Sequence, residues 1–186
     1  MVTMQYILRS NAMALIPYFN DVGEVETIVL EQEQYVNVKE KPYSLIDSNL
    51  RYYGSSMRGA KDGVNALLGK TNMAPVPIQT ATPMIWLPLK AIKDDTCVWI
   101  NAHAIINTEE ISSKETLIEL LNGHTIQLDI SKRKLLQRLY LAYVLMALLQ
   151  IRSSYMEGIE KYCGKTFHFC RGLNQLNFEL RSPVQY

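Results

Sequence analysis

The stretch RYYGSSMRGAKDG at 51–63 concentrates small, hydroxylated and basic residues. Three basic side chains, Arg51, Arg58 and Lys61, stand against a single carboxylate, Asp62. Glycine lets a backbone approach a surface closely, while serine hydroxyls, main-chain N–H groups and arginines suit phosphate oxygens. The stretch is therefore typical of a nucleic-acid phosphate site. It is equally typical of a glycine-capped helix end followed by a polar turn and another helix.

Two Gly-Lys-Thr tripeptides, beginning at Gly69 and Gly164, suggest a nucleotide site. A phosphate loop has four residues between its first glycine and its Gly-Lys pair, so that backbone N–H groups can wrap the phosphates. The intervals from Gly63 to Gly69 and from Gly158 to Gly164 each contain five residues. This spacing argues against a nucleotide-dependent enzyme.

Other catalytic or metal-binding groupings are weaker. Cys163, His168 and Cys170 lie close together, but a structural zinc site needs four ligands and no second pair stands at a recognisable spacing. His103 has no nucleophile elbow or ligand spacing around it. We therefore predict no catalytic residues, no bound metal and no cofactor.

Charge is segregated along the chain, although the net charge is only +1. Residues 1–40 and 71–130 each carry −4, whereas 41–70 carry +3 and 131–186 carry +6. Such segregation can build a basic patch that meets phosphate. Charge alone favours the simpler explanation, in which solvated faces answer acidic neighbours in the same fold.

Length and composition indicate one globular domain. The chain has 186 residues, of which 48% are hydrophobic and 20% charged. No secretory leader opens the sequence, and the longest apolar run, 139–149, is about half the roughly 20 residues that cross a membrane. Three cysteines without a CxxC pair fit a reducing compartment. We expect a cytoplasmic protein without a membrane span.

The first 70 residues predict strands followed by helices. Pro42 suits the first turn of a helix with Tyr43, Ile46, Leu50 and Tyr53 on one face. A second helix is predicted at 58–68 despite two glycines. Before them, period-2 patterns predict an antiparallel meander with strands at 4–9, 12–18, 25–31 and 34–39.

The second half predicts more strands and a long helix. TCVWINAHAI at 96–105 alternates along its whole length, as a strand does. In the hairpin at 116–131, a three-residue loop through His124 would pair Leu120 with Ile126 and Ile118 with Leu128. Edge strands or a surface crossing are predicted for the segment that contains Pro75, Pro77, Pro83 and Pro88.

Ser131 is a plausible N-cap for a helix at 132–151 that is basic at its start and apolar nearly all round. The predicted fold class is α+β: an antiparallel strand-rich single domain with a basic helical segment at 42–68 and a long C-terminal helix. Residues 158–186 show no sustained period and are predicted to be a separate tail.

The chain resembles the bacterial competence transcription factor family ComK over roughly residues 5–152. The resemblance is densest at KPYSLIDSNLRYYGSSMRGAKDG, residues 41–63, where the family has an Arg, two aromatics, Gly-Ser-Ser and a glycine-basic segment. It resumes at PVPI, at the Trp-Leu-Pro of 86–88, at CVWINAHAI and at NGHTIQLDIS. Residues 1–157 are thereby predicted to form a ComK-like DNA-binding domain.

The resemblance implies a DNA-binding transcription activator that recognises paired A/T-rich boxes, largely through the minor groove, and acts as a dimer of dimers. Its targets are genes for DNA uptake and recombination and its own gene, and an adaptor-coupled protease limits its level. Two features depart from the family. Arg58 precedes Gly59, and Ala60 and Lys61 follow it, where relatives have adjacent basic residues; the tail at 158–186 does not resemble theirs.

Two functions remain open from the sequence. The first is A/T-preferring DNA binding, and the second is a protein-interaction module whose apolar helix docks a regulatory partner without productive activation. For DNA we predict contacts from a group near the motif and from a second group at the start of the long helix: Arg51, Ser55, Ser56, Arg58, Lys61 and Lys70, then Lys132, Arg133 and Lys134.

Overall fold

Alternating apolar residues assemble into three antiparallel sheets and three α-helices in a computed structural model that describes residues 5–79, 84–157, 168–171 and 178–181. The chain divides into two units, Met1–Ile151 and Arg152–Tyr186. The predicted fold class, an antiparallel strand-rich α+β domain with a long C-terminal helix, is confirmed. The predicted domain boundary between residues 157 and 158 stays a prediction.

A six-stranded sheet forms the centre of the first unit. Its strand order is β3-β2-β1-β6-β5-β4, and every neighbouring pair is antiparallel. The predicted meander of the first three strands is confirmed from residue 12 onward. The strands are β1 (Ala12–Phe19), β2 (Val25–Glu31), β3 (Tyr35–Val38), β4 (Val76–Pro77), β5 (Ile85–Pro88) and β6 (Trp99–Asn101).

Pro77 is in β4, which is an edge strand as predicted and tolerates a missing N–H donor. The prediction is wrong for Pro88, which is the last residue of the interior strand β5. Because β4 pairs only with Ile85 and Trp86, no strand on that side needs a donor from Pro88. Pro83 lies outside the described residues.

A smaller sheet of three strands follows. It contains β7 (Ile105–Ser112), β8 (Glu115–Leu120) and β9 (Thr125–Leu128), paired in that order. The β8–β9 loop has the predicted three residues but consists of Leu121–Gly123 and does not include His124. The Leu120 N–H donates to the His124 carbonyl at 2.8 Å, and Gly123 closes the turn with a left-handed φ of +81°.

The predicted register of this hairpin is therefore wrong. Ile118 lies opposite Ile126, whereas the predicted pairs joined Ile118 to Leu128 and Leu120 to Ile126. The side chains still lie on the predicted faces of the hairpin, because the observed register differs from the predicted one by two residues and an even shift preserves the alternation. Ile118, Leu120 and Leu128 all lie in the core.

The described residues form three α-helices: α1 (Pro42–Tyr52), α2 (Met57–Leu68) and α3 (Lys132–Glu157), of which α3 crosses the boundary between Ile151 and Arg152. The third begins where it was predicted to begin and runs six residues further. Ser131 precedes it, and the Ser131 carbonyl accepts a hydrogen bond from the Leu135 N–H at 3.1 Å, as an N-cap carbonyl does.

Two apolar clusters cover the central strands. One contains Leu87 and Ile100 together with side chains of the smaller sheet and of α3. The other contains Trp86 and Trp99 together with side chains of α1 and α2. Because neighbouring residues of a strand point to opposite faces, the six-stranded sheet is covered by apolar groups on both faces.

Helix α3 is long and apolar enough, by length and composition alone, to cross a membrane between Lys132 and Ser153. A helix that contributes to the core of a soluble protein passes the same test. Leu135, Leu139 and Leu145 are buried in the first apolar cluster, so this face of the helix packs in the domain.

The first described residues do not form the predicted strand at 4–9. Residues 5–9 are irregular, and buried Asn49 of α1 holds them in place. Its side-chain oxygen accepts a hydrogen bond from the Leu8 N–H at 2.7 Å, and its amide donates to the Tyr6 carbonyl at 3.0 Å. The apolar Leu8 side chain packs in the core without a sheet partner.

The predicted alternation of 96–105 ends at Asn101. Residues 102–104 form a 3-10 turn, so the prediction of strand throughout is wrong. Asn101 is buried, donates its side-chain amide to the Ala12 carbonyl at 3.1 Å and accepts from the His103 N–H at 3.2 Å. These hydrogen bonds stabilise the turn at 102–104, and the strand therefore ends at Asn101.

In the second unit, β10 (His168–Arg171) and β11 (Phe178–Arg181) pair antiparallel, with His168 opposite Arg181. The sequence predicted no regular element here. Cys163, one member of the weak metal grouping, lies outside the described residues, and within them no group of three metal-ligating side chains is found.

Candidate nucleic-acid interface

The motif at 51–63 contains a glycine cap between α1 and α2. Gly54 has a φ of +80°, and its N–H donates to the Arg51 carbonyl at 3.0 Å. The Ser55 N–H donates to the Leu50 carbonyl at 2.7 Å. These two bonds pair carbonyls that a helix end otherwise leaves exposed. The capped-turn interpretation is thus confirmed for the backbone, and the phosphate interpretation concerns side chains that the cap leaves exposed.

Ser56 begins α2. Its backbone is extended, with φ −158° and ψ 165°, and its hydroxyl accepts the Gly59 N–H at 3.1 Å, which is an N-cap arrangement. A hydroxyl that accepts a hydrogen bond still has its proton to donate. The neighbouring Ser55 side chain is exposed.

Asp47, which belongs to no motif recognised in the sequence, joins the two helices. One of its oxygens accepts the Met57 N–H at 2.9 Å, and the other accepts from Arg51 Nε at 2.8 Å. The bond from the Met57 N–H and the bond from Arg51 hold the pKa of the Asp47 carboxyl below its ordinary value. The i,i+4 spacing could have revealed the Arg51 pair, but not the contact with α2.

Helix α2 turns its basic residues to solvent. Met57, Ala60 and Val64 face the core, whereas the Arg58 side chain is 94% exposed and Lys61, one turn on, is also exposed. Arg58 Nε lies 3.9 Å from an Asp62 oxygen, and such exposed pairs contribute little. Both cations are therefore accessible to an outside anion.

The two glycines of α2 lie on a different side of the helix from Arg58 and Lys61 and line a cavity shared with α3. At Gly63, a Cβ atom would meet no other atom within 4 Å, and at Gly59 it would meet only serine hydroxyls at 3.4 and 3.5 Å. The fold therefore does not need glycine at 63 for space.

The predicted DNA residues do not form one cluster. Arg51, Ser55, Ser56, Arg58 and Lys61 share the α1–α2 junction, whereas exposed Lys70 follows the other end of α2, a helix of 12 residues. At about 1.5 Å per residue, this helix is roughly 18 Å long.

The basic start of α3 is separate again. Arg133 and Lys134 are exposed and Lys132 is partly buried. Helix α2 shares an apolar cavity of 170 Å³ with Leu145 and Leu149, which lie much later in α3. The rise of an α-helix puts Leu145 roughly 16 Å along the axis from Lys134. The two groups of cations therefore meet solvent at different places.

Cations at helix starts oppose the helix dipole. The first turns of α2 and α3 contain basic residues, and within these described turns there is no acidic residue. Each such placement is unfavourable by about 0.3–1 kcal/mol at low ionic strength, because the helix start carries partial positive charge. Stability alone would favour the reverse charge, so a bound anion is a physical reason for this arrangement.

The fold and these cations define an α+β protein with basic helix starts exposed to solvent, the kind of surface that meets nucleic acid. Residues 3–154 match the family model of the ComK protein, and the chain therefore belongs to this family. A relative, the competence transcription factor of Bacillus subtilis (strain 168), is 22% identical over 135 residues, covering 73% of this chain and 70% of the relative. No solved structure matches the chain.

Membership confirms the resemblance seen at 41–63. The family and the name of the relative support a regulator of competence transcription, and they fit a protein outside the enzyme classes. The family match ends at residue 154 and does not include the predicted tail.

The two glycine positions at the junction predict opposite stability effects. Gly54→Ala should lower the free energy of unfolding by about 1–2 kcal/mol, because alanine is strained at a φ of +80°. Gly63→Ala should raise it by about 0.5–1 kcal/mol, because the site is helical and open. Urea unfolding of both variants measures the two changes in the free energy of unfolding. Changes of the same sign would contradict the glycine cap at position 54.

Removal of the Asp47 carboxylate should destabilise the protein in a pH-dependent way. At pH 7, Asp47→Ala should lower the free energy of unfolding by about 1–2 kcal/mol, because the Met57 N–H loses its partner. The folded pKa lies below the ordinary 3.8, so this contribution is present above pH 3.8 and is lost as the pH falls through the folded pKa.

The difference between wild type and Asp47→Ala in urea should therefore narrow below about pH 4. Asp62→Asn is the matched control, since its exposed 3.9 Å pair with Arg58 should make little difference at either pH. A difference of constant size from pH 7 to pH 3 would mean that Asp47 acts through packing and not through its charge.

Proposed function

We propose that this protein activates transcription of competence genes by binding double-stranded DNA. The junction group, defined as Arg51, Ser55, Ser56, Arg58 and Lys61, contacts DNA together with Lys70 at the other end of α2. The helix-start group, Lys132, Arg133 and Lys134, makes further backbone contacts. The observation that carries the proposal is the exposure of Arg58 and Lys61 beside a capped, glycine-containing turn.

The electrostatics of the junction group support phosphate contact. Arg58 is almost fully exposed, and its only ion pair within the described part of the chain is a 3.9 Å approach to exposed Asp62. Arg51 is tied to Asp47 through Nε, yet its side chain is 69% exposed. Arginine can therefore bridge the fold and a ligand here, since a guanidinium carries five N–H donors.

The exposed cations of α2 support approach to the minor groove of a duplex. A minor groove narrowed by A/T tracts has an enhanced negative potential, which attracts inserted Arg and Lys without a base-edge code. Arg58 and Lys61 lie one turn apart on the exposed face of α2, near its start, where the described first turn contains no acidic residue. We infer a preference for A/T-rich boxes, read largely through the minor groove, as the family resemblance implies.

The proposed assembly is a dimer of dimers, because paired boxes are most simply read by a symmetric oligomer. Helix α3 offers a contact for it. Leu136 and Tyr140 are 45% and 68% exposed and line an apolar groove with Gln137 and Leu141. The protein acts in the cytoplasm, where its DNA lies, and an adaptor of a protease is a further proposed partner.

A second function rests on the same groove. If α3 docks a regulatory protein and not another copy, the chain is an interaction module without productive activation. The exposed apolar side chains of α3 favour this alternative specifically, since a monomeric protein seldom leaves such a face uncovered. Light scattering of the free protein together with DNA titration separates the two functions.

DNA binding should prefer an A/T-tract duplex over a G/C-rich duplex of equal length, and its affinity should fall steeply with salt. A gel-shift titration of both duplexes at several salt concentrations measures the two effects. Equal affinities would leave only unspecific basic adhesion, and absence of binding at low salt would remove the DNA function.

The double variant Arg58→Ala/Lys61→Ala should flatten the dependence of log affinity on log salt by about one unit for each lost phosphate contact. The control is Lys39→Ala/Lys93→Ala, which removes the same charge from exposed positions outside both groups. If both double variants shift the slope equally, net charge and not the junction surface governs binding. An unchanged slope in the first would put the DNA surface elsewhere.

A further inference from the structure

A polar cavity of 360 Å³ lies at the base of α3. The turn between β7 and β8 provides Ser113 and Lys114, and α3 provides Lys134 and Arg138. Asp129 and Ser131 line it from the connection that joins β9 to α3. Three separate parts of the chain thus converge, and three of the six polar side chains are cationic.

Arg138 is the most confined of these cations. It is half-buried, and its Nη1 donates to the Pro88 carbonyl at 2.8 Å. Burial lowers the pKa of Arg138 because the surroundings solvate its charge poorly. Within the described part of the chain, no carboxylate lies within 4 Å of its guanidinium. A partly desolvated cation without an anionic partner is unfavourable, and an anion in the cavity would relieve it.

The other lining charges add to this excess. Lys134 and Arg138 are four residues apart, so they share one face of α3 and repel each other. Lys114 approaches from the facing turn, and Asp129 alone carries negative charge among the lining residues. The formal charge of the lining is therefore positive, with three cations against one carboxylate.

We propose that this cavity is a phosphate-binding site. Phosphate oxygens accept hydrogen bonds from the kinds of donor found here, namely a guanidinium, two ammonium groups and two serine hydroxyls. The volume is near the lower end of small-ligand sites, which run from about 300 to 1,000 Å³, and it admits a phosphate with part of an attached sugar. Its acidic member, Asp129, weakens anion binding and gives the site a residue whose removal should strengthen it.

The phosphate has two possible sources. One source is a backbone phosphate of DNA, and this possibility rests on the proposed function. The other source is a free phosphate compound. Lys134 belongs to the helix-start group, whereas Ser113, Lys114 and Arg138 extend that group to a new part of the surface. The binding of phosphate itself does not require that the protein bind DNA.

The first test is a titration with inorganic phosphate at constant ionic strength, followed through the amide chemical shifts of the full chain. We expect saturable shifts centred on Ser113, Lys114 and Lys134. Lys114→Ala should weaken binding about tenfold, which corresponds to one charged hydrogen bond. Lys114 is exposed on a turn, so its substitution should leave the fold intact.

Asp129→Asn should act in the opposite direction and tighten phosphate binding, a change that a merely damaged fold would not produce. Lys39→Ala is the control, since it removes one exposed lysine away from the cavity and should change nothing. Shifts that fail to saturate, or identical titrations for wild type and all three variants, would overturn the proposed site.

The second test identifies the source. If duplex DNA displaces inorganic phosphate and Lys114→Ala lowers the salt slope of DNA binding by about one unit, the DNA backbone provides the phosphate. If Lys114→Ala weakens phosphate but leaves DNA affinity and slope unchanged, the site takes a free phosphate compound. If wild-type protein binds phosphate but no DNA, the phosphate site stands and the proposed function fails.

Discussion

The rest of the structure depends on two neighbouring interior strands, β5 and β6, whose side chains are buried on both faces. Trp86 and Trp99 lie in one apolar cluster, while Leu87 and Ile100 lie in the other, and all four are fully buried. Such strands cannot face water on either side, so each face needs its own cover. Helix α1 and the start of α2 cover one, and the smaller sheet with α3 and the end of α2 covers the other. The cations predicted to contact DNA accordingly lie on the outer faces and at the ends of these helices.

The α1–α2 junction must satisfy its own backbone before it can bind anything. Gly54 and Ser56 cap the two helix ends, and Asp47 ties the Met57 N–H to Arg51. The residue types of a capped turn and of a phosphate site overlap, because both must pair exposed N–H groups and carbonyls. Glycine and the capping oxygens therefore fix the turn, whereas the side chains of Arg58 and Lys61 stay exposed and accessible to an external anion.

Local patterns predicted the elements whose determinants lie close in sequence. The meander from residue 12, the Pro42 start of α1 and the helix at Lys132 follow from alternation, proline geometry and helix periodicity. Two failures occurred where a distant partner decides the conformation. Asn49 holds the segment at 5–9 without a strand, and Asn101 reaches the Ala12 carbonyl across 89 residues. For the same reason, the sequence did not predict the hydrogen bond from the Met57 N–H to Asp47 or the one from Arg138 to the Pro88 carbonyl. Side-chain hydrogen bonds of this kind leave no periodic trace in a sequence.

The small net charge of +1 also constrains how the proposed DNA binding can work. The predicted DNA residues include seven cations, divided between the α1–α2 segment and the start of α3, and the remaining chain carries a net charge of −6. A uniformly basic protein would gain affinity for any duplex, whereas separated charges orient the molecule while adding little unspecific affinity. One copy with so few contacts binds weakly at physiological salt, but linked copies convert later contacts into intramolecular ones. Within the proposed function, the apolar groove of α3 therefore contributes to DNA affinity indirectly, because joining copies multiplies a small number of phosphate contacts without raising the charge of each copy.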